Sequence, residues 1–579
     1  MHHLFACIAR IKRGTHIHNG ASTTSSLTIG FPNIELTDIP SLKSIDPLIV
    51  IVEIRRMDIQ SLCSLSTTCR VLREASMPLL FYTTRSRTAS GHAGPDHAQW
   101  KRRALHILDD CLDEPFKTRV AGELVLHSLS CGLYDPLFLG NALRKMPALA
   151  KVEVGLLLAF ERRQLTPHEL PWATVQAILS VPHLQCFTVD SHRLTPWMLP
   201  GESYRPDALS PGLTAFQYRL VYYHEYLRYT PEEQAFKVTL ILKTYHPTLQ
   251  KLELPIALLP IPALHTLQWP VLHELRFYGG QEPGKAHLVS SALVNMAALR
   301  VLDLTVTVDD SAVHVPEPIW QRSDAASFPC QNLQRLIITL PCVEDALFPS
   351  LPHTLRELSL VCHPHKSLAK IRGIARFGDA DDGWTRNLLR ASDVLRILEG
   401  CTLPSLRVLG VEYAEDDDEV RLLQHIGTSF PDLAELTLLR YRHADRKNTI
   451  ISADDFAGAL SCPAGLRILS LHIDPPDSPR ARFIHYQSIG ISTIYDQEIP
   501  EDHIEQKLNP VAGVLARTLP PSATTVRLLL SSVNGFHWIE YSINRSDEEC
   551  RAVRLPNDPA SSSQDFLSFY SPRIARPQA

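Results

Sequence analysis

The apolar positions of this chain change their period as it is read. Leucines spaced three and then two apart recur as Leu249, Leu252 and Leu254, as Leu299, Leu302 and Leu304, as Leu355, Leu358 and Leu360, as Leu433, Leu436 and Leu438, and as Leu466, Leu469 and Leu471. Looser copies keep the spacing with other apolar residues at Leu149/Val152/Val154, Leu184/Phe187/Val189, Leu272/Leu275/Phe277, Leu333/Leu336/Ile338 and Leu406/Leu409/Val411, with a further one at Val526/Leu528. Alternation over the last three positions predicts a short strand in each copy. Ahead of several copies lie stretches of helical periodicity, at 232–243, 286–295, 420–426 and 453–460. Neither layer of such a unit, about 30 residues long, can bury its apolar side alone, so the units must stack. The expected fold is α/β, an irregular repeat array with parallel strands on a concave face and helices on the convex one.

The array is continuous but uneven: first leucines stand 22 residues apart between Leu333 and Leu355 and 51 apart between Leu355 and Leu406. Residues 1–40 lack periodicity and carry a polar run at 22–26, which reads as a disordered tail. Between 41 and 85, Leu62, Leu65, Cys69 and Leu72 fall at helical spacing and give a short helix one apolar face. Residues 86–118 read as a helical linker or cap, 119–535 as the repeats, and 536–579 as a C-terminal cap with a disordered tail from Pro556. Connections at 306–328, 364–395 and 474–500 contain Pro, Gly and acids and are expected to be surface loops or capping irregularities.

Length excludes one compact core, since 579 residues need several domains or a stacked array. With 45% hydrophobic and 21% charged residues the chain has enough apolar material to fold and enough charge to dissolve. A formal charge of −5 supplies no global field for nucleic acid or an anionic membrane, and neither is expected as a partner. The longest apolar run, 254–264, is broken by Pro255, Pro260 and Pro262 and is far shorter than a membrane span. The twelve cysteines are scattered and read as reduced core thiols, which suits the cytoplasm or nucleus. Arg10, Lys12 and Arg13, with no acid before Glu35, also have the character of a transit peptide, against which stands the simpler reading as tail.

Met57-Asp58, the stretch 62–66, Cys69-Arg70 and Pro78-Leu79-Leu80-Phe81, followed by the leucine repeats, resemble the F-box and leucine-rich-repeat proteins of the divergent kind abundant in basidiomycete fungi. The resemblance implies a small all-α F-box-like motif over 41–85 that docks on a Skp-type adaptor of a cullin-RING ubiquitin ligase. It also implies a leucine-rich-repeat solenoid that holds a protein substrate, and neither catalysis nor a cofactor in the chain itself. The adaptor-binding residues it implies are Pro47, Leu48, Ile49, Ile51, Val52, Met57, Leu62, Leu65, Pro78 and Leu79. The front half departs from the family: Asp46-Pro47-Leu48 replaces the usual Leu-Pro start, and Arg55-Arg56 stand where a Ser-aromatic pair is usual. The alternative is a repeat scaffold without a ligase, its N-terminal helices sealing the first repeat.

Side chains alternate along a strand, so residues between and after the leucines should face outward on the concave side. That frame exposes Glu253, Glu274, Arg276, Tyr278, Asp303, Arg335, Glu357, Glu412 and Glu435. Acids outnumber bases there, which points to a partner with a basic patch, a solvated mixed-charge sheet being the other explanation.

Other chemistry is thinner. Gly279-Gly280-Gln281-Glu282-Pro283-Gly284-Lys285 matches a phosphate-binding loop between a strand and a helix, but Ala286 replaces the magnesium-holding Ser/Thr and Pro283 removes an N–H. A strand-to-helix loop inside a repeat is the competing explanation. Cys362-His363-Pro364-His365 lacks a second ligand cluster for a metal, and Asp379 to Gly383 misses the alternating spacing of a calcium loop. The acids of 415–419 precede a helical stretch and suit its N-terminus. The basic clusters at 100–103 and 442–447 are too isolated to indicate nucleic acid.

Overall fold

The structure is a computed structural model that describes residues 83–87, 123–127, 136–146, 148–155, 169–190, 193–194, 204, 209–219, 231–280, 286–307, 317–320, 328–339, 341–361, 388–441, 453–460, 463–473, 501, 504–532, 535–546 and 549–555. The chain divides into two compact units, Met1–Leu213 and Thr214–Ala579.

In the first unit four strands pair in parallel: β1 (Thr83–Arg87), β2 (Glu123–His127), β3 (Lys151–Gly155) and β4 (Cys186–Asp190). The register sets Leu124 beside Val152 and Val152 beside Phe187. Helices α1 (Pro136–Arg144) and α2 (Trp172–Leu179) pack on each other. Leu139, Leu143, Val152, Val154, Val175, Ile178 and Phe187 are fully buried, so the alternation read from the sequence has one apolar side turned inward.

The second unit repeats the pattern. Its parallel strands are β5 (Ala215–Arg219), β6 (Lys251–Pro255), β7 (Glu274–Gly280), β8 (Val301–Thr307), β9 (Arg335–Thr339), β10 (Glu357–Val361), β11 (Val408–Ala414), β12 (Glu435–Tyr441), β13 (Ile468–His472) and β14 (Thr525–Ser532), each beside the one before. The helices α3 (Pro231–Tyr245), α4 (Ile261–Thr266) and α5 (Ala286–Leu293) pack in series, as do α6 (Ala391–Glu399), α7 (Glu419–Ser429), α8 (Ala453–Ala459) and α9 (Asn509–Thr518).

One local device recurs at most of the repeats, Leu249, which donates to Tyr245 O four residues back, being an exception. The first leucine closes a tight turn by donating its N–H to the carbonyl three residues back: Leu299 to Met296 at 3.0 Å, Leu355 to Pro352 at 3.1 Å, Leu406 to Leu403 at 3.2 Å and Leu466 to Pro463 at 3.0 Å. The next two N–H groups share one carbonyl of the preceding repeat, as when Arg356 and Glu357 both donate to Gln334 O at 2.8 and 3.0 Å. The turn fixes where each strand begins, so every strand enters in register and its leucines fall into columns. Leu252, Leu302, Leu358, Leu409, Leu436 and Leu469 form such a column at 0–1% exposure. Fully burying one such side chain contributes about 1.5–3 kcal/mol. No described helix is long and apolar enough to cross a membrane.

Three features depart from the sequence expectation or extend it. Within 364–395, expected to be a loop, α6 begins at Ala391; Arg390 N–H donates to Asp393 at 3.2 Å, and Val394, Leu395, Ile397 and Leu398 are buried. The expected C-terminal cap is antiparallel sheet: β15 (Gly535–Ser546) pairs with β14, and β16 (Glu549–Arg554) pairs with β15. The connection between β8 and β9 is anchored by the buried Asp345, which accepts N–H groups from Ile319 (2.6 Å), Trp320 (3.0 Å) and Leu347 (2.9 Å).

Candidate protein interface on the strand face

Parallel pairing aligns outward residues of the second unit in rows across the strands. The first row runs Lys251, Glu274, Val301, Arg335, Glu357, Val408, Glu435, Ile468, and the second Glu253, Arg276, Asp303, Ile337, Ser359, Gly410, Thr437, Ser470. Strands stand about 4.8 Å apart, so opposite charges in neighbouring repeats meet although their sequence positions are 20 to 35 apart.

They do meet over β5 to β10. Arg219 is bidentate to Glu253 at 2.8 and 3.1 Å. Lys251 Nζ lies 2.9 Å from Glu274, whose other cation is Arg276 at 2.5 Å. Arg276 also reaches Asp303 at 3.9 Å, and Arg335 Nε lies 3.1 Å from Glu357. Burial would raise the Glu274 carboxyl, but Arg276 and Lys251 overcome it and hold it below the ordinary value. Asp303 is different. Burial pushes it up to about 6, in spite of the Thr305 hydroxyl and the flanking Arg276 and Arg335. Burial also lowers Arg335, although it remains a cation paired with Glu357.

The outward residues expected from sequence thus fall into groups. Glu253, Glu274, Arg276, Asp303, Arg335 and Glu357 each enter an ion pair of a ladder in three parts, so the acidic excess is largely compensated within the sheet. Tyr278 follows on the same face, its hydroxyl donating to Tyr218 O. Glu435 is half-buried between Val408 and Ile468. Three of these residues correct the expected exposure: Glu253 and Asp303 are buried, 9% and 5% exposed, among the side chains of the ladder, and Glu412 is 0% exposed, because the strand runs on past the alternating core and its end is covered beside Leu439. The adaptor-binding residues expected between Pro47 and Leu79 lie outside the described residues.

Beyond the ladder the strand ends enclose a buried charged cluster. Arg440, 1% exposed, donates Nε to Glu419 Oε1 at 2.7 Å, Nη1 to Ile473 O at 3.1 Å and Nη2 to Glu415. The Tyr413 hydroxyl donates to Glu419 at 3.1 Å; burial first, and then the neighbouring Glu419 charge, raise that phenol well above its ordinary range. The acids expected to serve the N-terminus of a helix do precede α7, yet Glu415 and Glu419 turn inward to this guanidinium. Asp416 instead accepts Ser392 N–H (3.0 Å) and hydroxyl (2.6 Å), tying α6 to the start of α7.

The phosphate-loop match finds a different setting. Gly279 and Gly280 are strand residues in register with Val306 and Thr307, while 281–285 lie outside the described residues, as do Cys362 to His365, Asp379 to Gly383 and both basic clusters. Among the described residues no group of three or more His, Cys, Asp or Glu side chains is placed to hold a metal.

What the sequence reading passed over is the row just before the first one. Arg300, Arg356, Arg407 and Arg467 each follow a first leucine, and all are exposed. The signal was present as a Leu-Arg pair at the start of four repeats.

Parallel strands in columns of leucine, most of them entered by the same turn and backed by helices, define a leucine-rich-repeat protein. No family model matches the chain, and no curated protein matches it. Among solved structures it is similar to a TLR13–ssRNA13 complex, with 12% identity, 62% of this chain and 42% of that chain covered, and a TM-score of 0.31. It is also similar to the Rad7–Elc1 complex of yeast, with 15% identity, 71% of this chain and 96% of that chain covered, and a TM-score of 0.29. The chain therefore spans less than half the length of the first of these structures.

Proposed function

We propose that the protein is a non-enzymatic, protein-binding repeat protein that serves as substrate receptor of a cullin-RING ubiquitin ligase. The segment 41–85 docks on a Skp-type adaptor, and the strand face of the repeats holds a protein substrate. The observation that carries the protein-binding part is the strand face itself, on which side chains from successive repeats stand in register. The ligase part rests on Met57-Asp58, Leu62, Leu65, Cys69-Arg70 and Pro78 to Phe81 of the sequence. An adaptor would be held mainly by apolar area buried at Leu62 and Leu65. We place the protein in the cytoplasm or nucleus, where the buried Cys330 and the half-buried Cys401, both thiols pushed up to about 12 by desolvation, stay protonated and unreactive.

The test is capture of a fungal Skp-type adaptor by the full chain, comparing wild type with Leu62→Asp/Leu65→Asp. Capture by wild type and its loss in the variant are expected. Failure of the wild type to capture the adaptor removes the ligase and leaves a repeat scaffold.

A further inference from the structure

The turn that starts each strand places one residue immediately before the first paired position, and the shared-carbonyl bonds keep these residues in register from repeat to repeat. Arg300 is followed across the strands by Gln334, then Arg356, Arg407, Ala434 and Arg467, each N–H bonded to the carbonyl of the residue before it at 2.8 Å. The four arginines are exposed, and among the described residues none of them is in an ion pair. The turns leading into this row supply a single carboxylate, Asp432, two residues before Ala434. At about 4.8 Å per strand the row spans roughly 24 Å from Arg300 to Arg467.

Arg356 and Arg407 are neighbours on paired strands, an arrangement that destabilises a sheet unless an anion lies between the charges. The contrast with the adjacent rows is sharp. There, each arginine of the ladder has a carboxylate on its own strand or the next. Here, among the described residues, the positive charge has no ion-pair partner.

We propose that this arginine row binds an acidic segment of the partner protein, laid across the strand starts so that its carboxylates meet Arg300, Arg356, Arg407 and Arg467. Guanidinium groups take carboxylates bidentately, and in an extended peptide the side chains of one face recur about every 6.6 Å, between one strand spacing and two and within the reach of long arginine side chains. An acidic peptide is favoured over a nucleic acid because the row carries no aromatic ring on which bases could stack, and because the chain as a whole has a charge of −5. The proposal deepens the protein-binding part of the function proposed above and rests on it; it does not need the adaptor. It also gives the partner a sign opposite to the one the outward acids suggested, since those acids are compensated within the sheet.

The experiment uses the full chain and a fluorescein-labelled twelve-residue peptide in which Glu alternates with Ser, Gly or Thr, read by anisotropy at low salt. Its Gln counterpart and an oligo-thymidylate serve as comparison probes. Binding of the Glu peptide is expected to weaken about tenfold in Arg356→Gln/Arg407→Gln and to vanish when all four arginines are Gln. Arg396→Gln, which removes an arginine already paired with Glu344, should leave binding unchanged. Equal binding of the Glu and Gln peptides, undiminished binding by the fourfold variant, or tighter binding of the oligonucleotide would each overturn the proposal. Adaptor capture is measured on the same variants: loss of peptide binding with capture intact is expected, whereas failure of capture with peptide binding intact would count only against the ligase.

Discussion

Arg440 offers the sharpest test of the packing. Its guanidinium neutralises two carboxylates, Glu415 and Glu419, that are 3% and 6% exposed, and it satisfies the Ile473 carbonyl at the end of β13. Replacing it with Met preserves volume but leaves two buried carboxylates facing each other with no cation. Removing one partner of a buried pair costs on the order of 3–5 kcal/mol, mostly as the desolvation of what is left behind. Exchanging the whole group, as in Arg440→Met with Glu415→Leu and Glu419→Leu, should cost far less, because no buried charge then remains. In a repeat array the loss is local, so the assay is amide hydrogen exchange. Protection of β12 and β13 should fall by two to three orders of magnitude in Arg440→Met and recover most of that fall in the triple variant, while β6 and β7 stay as they are. A single variant within a factor of about five of wild type, or a triple variant worse than the single, would refute the reasoning.

Three further outcomes follow from particular groups. Asp303 ionises at about 6 in the fold against 3.8 ordinarily, so the folded chain keeps a proton that the unfolded chain has lost between those values. Stability from this group is therefore full below pH 4 and falls as pH rises through 6, by about 3 kcal/mol. Asp303→Asn should gain about 2 kcal/mol on wild type between pH 4.5 and 7.5 in urea denaturation, and a pH-independent difference would contradict the assignment. Asp345→Ala deprives Ile319, Trp320 and Leu347 of their acceptor and should cost about 2–4 kcal/mol, read as faster limited proteolysis within 306–328. Leu436→Ala, in the leucine column, should lower stability by about 2–5 kcal/mol, and a smaller loss would mean that the column repacks.

Strand positions were legible because a leucine that must face the core leaves the same mark in every repeat, and α3, α5, α7 and α8 were legible because their apolar stripes are long enough to show a period. Other features depend on neighbours distant in sequence. Glu253 is compensated by Arg219, 34 residues earlier, and Arg440 by Glu415, 25 residues earlier; neither pairing has a local trace. Glu412 obeys the alternation and is buried nonetheless, since exposure on a sheet depends on what lies over it. Helix α6 was hidden because its stripe starts at the end of a long connection rich in Gly and Asp, whose composition marked the whole stretch as loop. The arginine row was legible in the recurring Leu-Arg pair but has meaning only once the register places the four residues side by side.

The two reversals through β15 and β16 bear on how such a chain can lengthen. β15 runs against β14 and β16 runs against β15, so β16 points the same way as the repeat strands, yet it pairs by antiparallel bonds and not through the shared carbonyl that starts each repeat. Duplication of a unit in the coding sequence is accommodated most simply between existing parallel strands, where each strand is an equivalent acceptor for the next. Growth of this array is therefore intercalary, each inserted unit reusing the carbonyl that its predecessor already offers.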